Sequence, residues 1–360
     1  MNELEERVAD EIRRRGPVPF SEVMHLALYD PEHGFYATHG SAGRRGDFIT
    51  SPEVGPLFGA VIANALDEWW RAMAEPDPYV VVEAGAGAGT LARSVLAAAP
   101  ACASALRYVL VESSALLRER HREYLALESA AHAFAPEREE HVDHSSIDMP
   151  TGPIVVSLEE LPRVAAHVVV ANELLDNLPI DLLERGDGRT FEVRVGLDGG
   201  RLIEVLVPSD LSIETGREPV QTSAAGWVRE ARALGGRVVV FDYADTTASM
   251  ARRPWTQWLR TYREHQRGSG VLDDLGRQDI TCEVAVDQLP KPTHDTAQAE
   301  WLQQYGIAEL VAEGRKVWEE RAHIGDLEAM KARSRISEAE ALGDPTGLGA
   351  FRVLEWEPRS

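Results

Sequence analysis

The chain has 360 residues with 59 acidic against 37 basic side chains, a formal charge of −22. That balance argues against a general nucleic-acid binder, because neutralising phosphates takes clustered Lys and Arg, and it suits a cationic partner. With 44% apolar and 27% charged residues it reads as an ordinary globular chain of about two domains' length. No apolar run approaches the roughly 20 residues of a membrane span, so neither a membrane nor nucleic acid is expected as a partner. The opening MNELEERVADEIRRR has no apolar signal region, and a cytoplasmic location is the expectation that follows. Cys102 and Cys282 stand far apart without a partner motif, which predicts core thiols, no disulfide and no metal site. No signal for an oligomeric state is present.

In chain order, Leu4, Val8 and Ile12 set the spacing of an amphipathic helix over residues 2–15, ended by Gly16-Pro17. A second helix is expected over 20–29, capped by Ser21 and broken before Asp30-Pro31. A dense loop follows, with GFY at 34–36 and GRRGDFITSPEVGPLFG at 43–59. Loops of this length in compact domains are functional or disordered. This one holds aromatics and ends in an orderly helix start, with Ser51 as N-cap and Pro52 at the first position of a helix over 52–73. Two readings of Thr50, Ser51 and Glu53 are open: they cap that helix, or they help to shape a site.

Residues 79–90 read YVVVEAGAGAGT. The β-branched run is that of a parallel strand buried on both faces, and it ends on Glu83 and three alternating glycines. Gly85, Gly87 and Gly89 let the loop turn sharply and bring bare backbone against a ligand before a helix begins at Thr90. A dinucleotide fingerprint needs a small third residue in G-x-G-x-x-G/A, a position held here by Thr90. The spacing E-x-G-x-G-x-G is instead the loop used with S-adenosylmethionine (SAM). Residues 107–112, RYVLVE, form a second buried strand ending on Glu112, an acid placed to accept ribose hydroxyls. The alternative is a tight turn with two solvated carboxylates.

Strands are expected at 154–158 and 167–171, the latter running into ANELLDNLPI, and at 237–243. Strands at 191–195 and 201–207 flank Asp198-Gly199-Gly200 as a hairpin. A helix after Pro254-Trp255 is read from Trp258, Tyr262 and His265, a strand from 279–286, helices from 298–341 with Trp301, Tyr305 and Trp318 as core contacts, and a terminal antiparallel strand from 351–356. The βα alternation implies an α/β fold with a parallel, Rossmann-like sheet, an N-terminal helical extension, and inserted hairpin and helical elements. It divides as a helical region with a lid loop (1–78), a cofactor-binding half (79–186), an inserted hairpin region (187–236) and the rest of the sheet with helical insertions (237–360).

Taken together, GFY at 34–36, GDFITSPE at 46–53, the glycine loop, VESSALLRE at 111–119, ANELLDNLP at 171–179, DIT at 279–281 and GLGAFRVL at 347–354 resemble the MidA-type family of class I SAM-dependent methyltransferases. That family includes a mitochondrial complex I assembly methyltransferase. Ala86, Ala244 and, within ANELLDNLP, Leu174, Leu175 and Asn177 depart from its usual residues. The resemblance implies SAM as cofactor, held by Glu83, Gly85, Gly87, Gly89 and Glu112, and a protein acceptor, with arginine favoured. The segment 46–53, with Asp47, Phe48, Thr50 and Ser51, is expected to cover the cofactor and shape the acceptor channel. Glu173 and Asp176 lie just past the fourth strand, where class I methyltransferases place residues facing the methyl group. They are expected to hold a guanidinium and help remove its proton. Alternatively, Asn172 caps a short helix and the acids are solvated; Asp242 has the same two readings, and His265 is a base or structural. Two rival functions are a scaffold that keeps the fold without turnover and, disfavoured by Thr90, an NAD-dependent oxidoreductase.

Overall fold

The computed structural model describes residues 2–38, 50–134, 152–263 and 266–358. Its central sheet contains β1 (Tyr79–Ala84), β2 (Leu106–Val111), β3 (Ile154–Leu158), β4 (Val168–Asn172), β5 (Arg237–Asp242), β6 (His294–Ala297) and β7 (Arg352–Trp356). The strands lie in the order β3-β2-β1-β4-β5-β7-β6, with β1 to β5 parallel and β7 antiparallel to both neighbours. The chain moves outward from β1 in one direction and then returns to build β4 and β5 in the other. The switch point therefore falls between β1 and β4, where open α/β sheets bind ligands beyond the strands' carboxyl ends.

Burial on both faces explains the unbroken apolar run of β1. Tyr79 and Val81 pack with Leu57, Phe58, Leu66 and Trp301, while Val80, Val82 and Ala84 pack on the opposite face with Ala224, Val228 and Trp356. Each fully buried valine contributes about 1.5–3 kcal/mol, so no polar residue fits here without a partner.

Seven short or regular helices precede or follow these first strands: α1 (Glu3–Arg15), α2 (Phe20–Tyr29), α3 (Phe35–Thr38), α4 (Ser51–Val54), α5 (Pro56–Ala72), α6 (Thr90–Ala97) and α7 (Ala115–Tyr124). Leu4, Val8 and Ile12 of α1 are buried as their spacing predicts, and Asn2 with Glu5 forms a capping box. The helix α2 has no side-chain cap from Ser21; the Ser21 amide donates instead to Asp181 at 3.2 Å. The single helix expected from Pro52 is two, α4 and α5, divided at Gly55. A Cβ on Gly55 would lie 2.2 Å from the Glu338 carboxyl carbon, and that buried carboxylate accepts the Leu57 amide at 2.9 Å.

The expected hairpin is present as Arg189–Asp198 and Arg201–Pro208, turning at Gly199 and Gly200 with φ of 53° and 86°. It belongs to a five-stranded antiparallel sheet with Asp181–Gly186, Arg217–Val220 and Val18–Pro19, packed against α1 and α2. The helix expected after Pro254-Trp255 is absent. One 3₁₀ turn (Trp255–Gln257) leads into a strand, Leu259–Arg263, paired antiparallel with Asp279–Cys282. Leu259 and Thr261 face the core while Arg260 and Tyr262 face outward, a period of two that the spacing of Trp258, Tyr262 and His265 disguises. His265 lies outside the described residues.

Candidate active site

At the carboxyl edge of β1 the backbone takes φ of 68°, 54° and 80° at Gly85, Gly87 and Gly89, the left-handed region that side chains resist. A Cβ on Gly87 would meet nothing within 4 Å, so this backbone faces open space. The Glu112 carboxylate, at the end of β2, accepts the Gly87 amide at 2.9 Å and the Ser114 amide at 2.8 Å. Burial nevertheless raises its pKa, against the pull of those two bonds. Behind the loop, His121 of α7 lies 2.8 Å from the Gly87 carbonyl oxygen. Sequence reasoning passed over His121; the signal was its place seven residues after Ser114 and four after Leu117, on the inward face of α7.

Glu83 is buried at the end of β1. It accepts the Tyr108 hydroxyl at 2.7 Å and the Ala92 amide, one of the unpaired donors at the start of α6, and burial pushes it up to about 8. It lines the site and holds loop, strand and helix together.

A cavity of about 1030 Å³ opens over this loop, the upper end of the about 300–1,000 Å³ usual for small-molecule sites. Every residue expected to hold the cofactor except Gly89 lines it: Glu83, Gly85, Gly87 and Glu112. Gly89 sits behind, with His121, Leu110 and Leu125 where its Cβ would be. From the expected lid, Thr50 contributes to the wall, while Ser51 is buried beneath it and its hydroxyl donates to Gln298 at 3.1 Å. Asp47 and Phe48 lie outside the described residues.

The N-terminal helices close one side. Tyr29 and Tyr36 stack at 5.6 Å between ring centres; Tyr29 donates to the Asn177 carbonyl, Tyr36 to Asp279, and Ser114 donates to the Tyr36 carbonyl at 2.6 Å. The GFY and DIT motifs are thus two ends of one contact.

Beyond β4, Glu173 has φ of 51°, a left-handed backbone on a non-glycine residue. Such strain clusters at functional sites. Its carboxylate accepts the Asn172 side-chain amide at 3.0 Å and the Ser51 amide. Burial first, and Asp176 second, push it up to about 8. Glu53, also in the wall of the large cavity, is pushed by burial up to about 7. Asp176 does not reach the large cavity. It lines a smaller one of about 180 Å³, and Glu173 lines both. Asp242 is a clamp: it accepts the Leu175, Asp176 and Tyr243 amides at 2.9, 3.3 and 2.9 Å, holding the 3₁₀ turn that carries Asp176. Burial and the neighbouring Asp242 and Asp279 raise Asp176 well above the usual carboxylate range. Among the described residues these acids form no group able to hold a metal.

The large cavity fits SAM. The glycine loop leaves the room a cofactor needs, and two buried acceptors in its walls, Asn172 Oδ1 and Glu53 Oε2, lack hydrogen-bond partners. The ammonium of SAM's methionyl portion carries three donors that acceptors of this kind can take.

Fold and site together define a class I methyltransferase scaffold. A family model described as "Putative S-adenosyl-L-methionine-dependent methyltransferase" matches residues 61–304, and the chain belongs to that family. It is similar to the Drosophila melanogaster protein arginine methyltransferase NDUFAF7 homolog, mitochondrial, with 32% identity across 53% of this chain and 44% of that one. The Rattus norvegicus protein arginine methyltransferase NDUFAF7, mitochondrial, is 28% identical across 76% of this chain and 65% of its own length. The chain thus spans less than two thirds of these relatives. A Burkholderia thailandensis protein crystallised with S-adenosylhomocysteine superposes with a TM-score of 0.77 at 25% identity, covering 98% of this chain and 91% of that one. The curated relatives are named as mitochondrial, which overturns the cytoplasmic expectation: composition does not determine compartment.

Proposed function

We propose that the chain is a SAM-dependent methyltransferase whose acceptor is an arginine in a protein. The observation that carries this reading is Glu173, a carboxylate held by a strained backbone in the wall shared by two cavities. One cavity is sized for a nucleoside and the other for a side chain. Seven glutamates and one arginine line the larger one; burial raises several of these acids, and a cation brought among them favours their ionised form. The relatives' names as protein arginine methyltransferases also support it.

When bound, SAM supplies a methyl group on a cationic sulfur; transfer to a guanidinium nitrogen forms one N–C bond, breaks one S–C bond and releases one proton. The chain's contribution is orientation, charge and a proton acceptor. Glu112 and the Gly87 backbone fix the nucleoside side. Glu173, pushed up to about 8 without a cation beside it, ionises when a guanidinium arrives and can then take the proton. Asp242 and Asn172 hold the acids in place.

The test is transfer of labelled methyl from SAM into a cell lysate, with the modified residue located by mass spectrometry. Methyl on arginine is expected, with Glu173→Gln at least about 100-fold slower but binding S-adenosylhomocysteine normally. Methyl on another residue type, or SAM binding without any transfer, refutes the reading.

A further inference from the structure

We propose that the small cavity behind Glu173, walled by Asp176, Trp258, Arg260, Tyr262 and Thr281, receives the acceptor's arginine side chain; this rests on the reading of the chain as an arginine methyltransferase. At about 180 Å³ it is too small for a nucleoside and suited to one side chain. It shares Glu173 with the cofactor cavity, so its occupant lies beside the carboxylate that also borders the cofactor.

The wall is one face of the short antiparallel pair. Arg260 faces Thr281 and Tyr262 faces Asp279 across the strands, while Leu259, Thr261, Ile280 and Cys282 point into the core. Opposite stands Asp176, 4% exposed, with its Oδ1 lacking any hydrogen-bond partner; the indole Nε1 of fully buried Trp258 lacks one too. Leaving such an atom unmet costs about 1–3 kcal/mol. Both residues line the cavity, and two unmet polar atoms in its wall residues point to a polar occupant.

Its chemistry follows from the walls. Arg260 donates to Glu283 at 2.8 Å; Arg253 shares that carboxylate at 2.6 Å and also donates to Asp245 at 2.9 Å, so these two arginines are balanced by two carboxylates. Glu173 and Asp176 are left to set the charge that the occupant meets. Tyr243 and Tyr262, both with accessible surface, also line it. Two carboxylates and aromatic side chains match a flat, forked cation with five donors better than the compact ammonium of lysine.

The test is calorimetry of the full chain saturated with S-adenosylhomocysteine, titrated with acetyl-Gly-Arg-Gly-amide. We expect binding, and at least about 10-fold weaker binding of the neutral citrulline analogue. Thr281→Trp, which fills the cavity, should weaken the arginine peptide at least as much and leave S-adenosylhomocysteine affinity alone. Asp176→Asn, which keeps size, gives the same answer if the bulky variant does not fold. No peptide binding to the wild type, or wild-type peptide binding in both variants, overturns the assignment. The two readings part cleanly. Peptide binding lost in the variants with no methyl on arginine keeps the cavity and sinks the reaction. Arginine methylation unchanged in Thr281→Trp keeps the reaction and sinks the cavity.

Discussion

His121 Nε2 lies 2.8 Å from the carbonyl oxygen of Gly87, behind the turn of the glycine loop. Its Nδ1 meets the Ser157 hydroxyl at 2.9 Å, and burial lowers its pKa. A carbonyl can only accept, so Nε2 carries the proton and the Ser157 hydroxyl donates to Nδ1. With Glu112 taking the Gly87 amide, both backbone groups of that glycine are held. His121→Phe keeps the ring and deletes the donor; S-adenosylhomocysteine binding should weaken roughly 3- to 10-fold by calorimetry. Unchanged affinity would mean that the loop holds its shape without the histidine.

The glycines should fail in different ways. Gly87 faces open cavity, whereas a Cβ on Gly89 would lie 3.3 Å from His121, Leu110 and Leu125. Gly87→Val should therefore abolish cofactor binding in a protein that still folds. Gly89→Val should lower the melting temperature of the ligand-free chain as well. Both backbones also have positive φ, so some strain is common to the two. Equal melting temperatures in the two variants would contradict the assignment.

Glu173→Gly should separate stability from turnover. Relieving a left-handed non-glycine backbone is worth about 1–2 kcal/mol, and the substitution also removes a carboxylate that burial disfavours. The melting temperature should stay level or rise, while methyl transfer falls at least about 100-fold. A substantial drop in melting temperature would show that the carboxylate holds the fold together.

Glu53, Glu83 and Glu173 are raised by burial to about 7, 8 and 8. For a carboxyl raised on folding, the unfolded chain ionises first. Its contribution to stability is whole below about 4.5 and is lost as pH climbs through the folded value. Ligand-free melting temperature should then decline from pH 5.5 to 8.5. A cationic ligand favours ionisation, so SAM binding should release protons near pH 7 and tighten as pH rises. Calorimetric enthalpies at pH 7 should differ between Tris and phosphate by the buffers' ionisation heats; identical enthalpies would refute the coupling.

The local sequence was enough to place β1, β2, β4 and β5, because strands buried on both faces must be apolar without interruption. It was enough for the turn at Gly85, Gly87 and Gly89 too, since positive φ selects glycine. Glu112 and Glu173 were legible as acids at strand ends. The pair Leu259–Arg263 and Asp279–Cys282 was not, because Trp258 and Tyr262 imitate a helical repeat and the pairing that makes the first a strand comes from about 20 residues away. Nor could sequence show that Tyr36 donates to Asp279 or that Asp242 clamps the turn bearing Asp176, contacts spanning 243 and 66 residues. Periodicity and backbone preference act between neighbours and so are written locally. Which buried acids share a wall, which carboxylate spends its lone pairs on backbone amides, and which is left to face a ligand are set by packing between distant segments. Asp242 ends one strand and Asp176 lies four residues past another; only the tertiary structure distinguishes the one clamped by three amides from the one that keeps an unpartnered oxygen and lines a cavity.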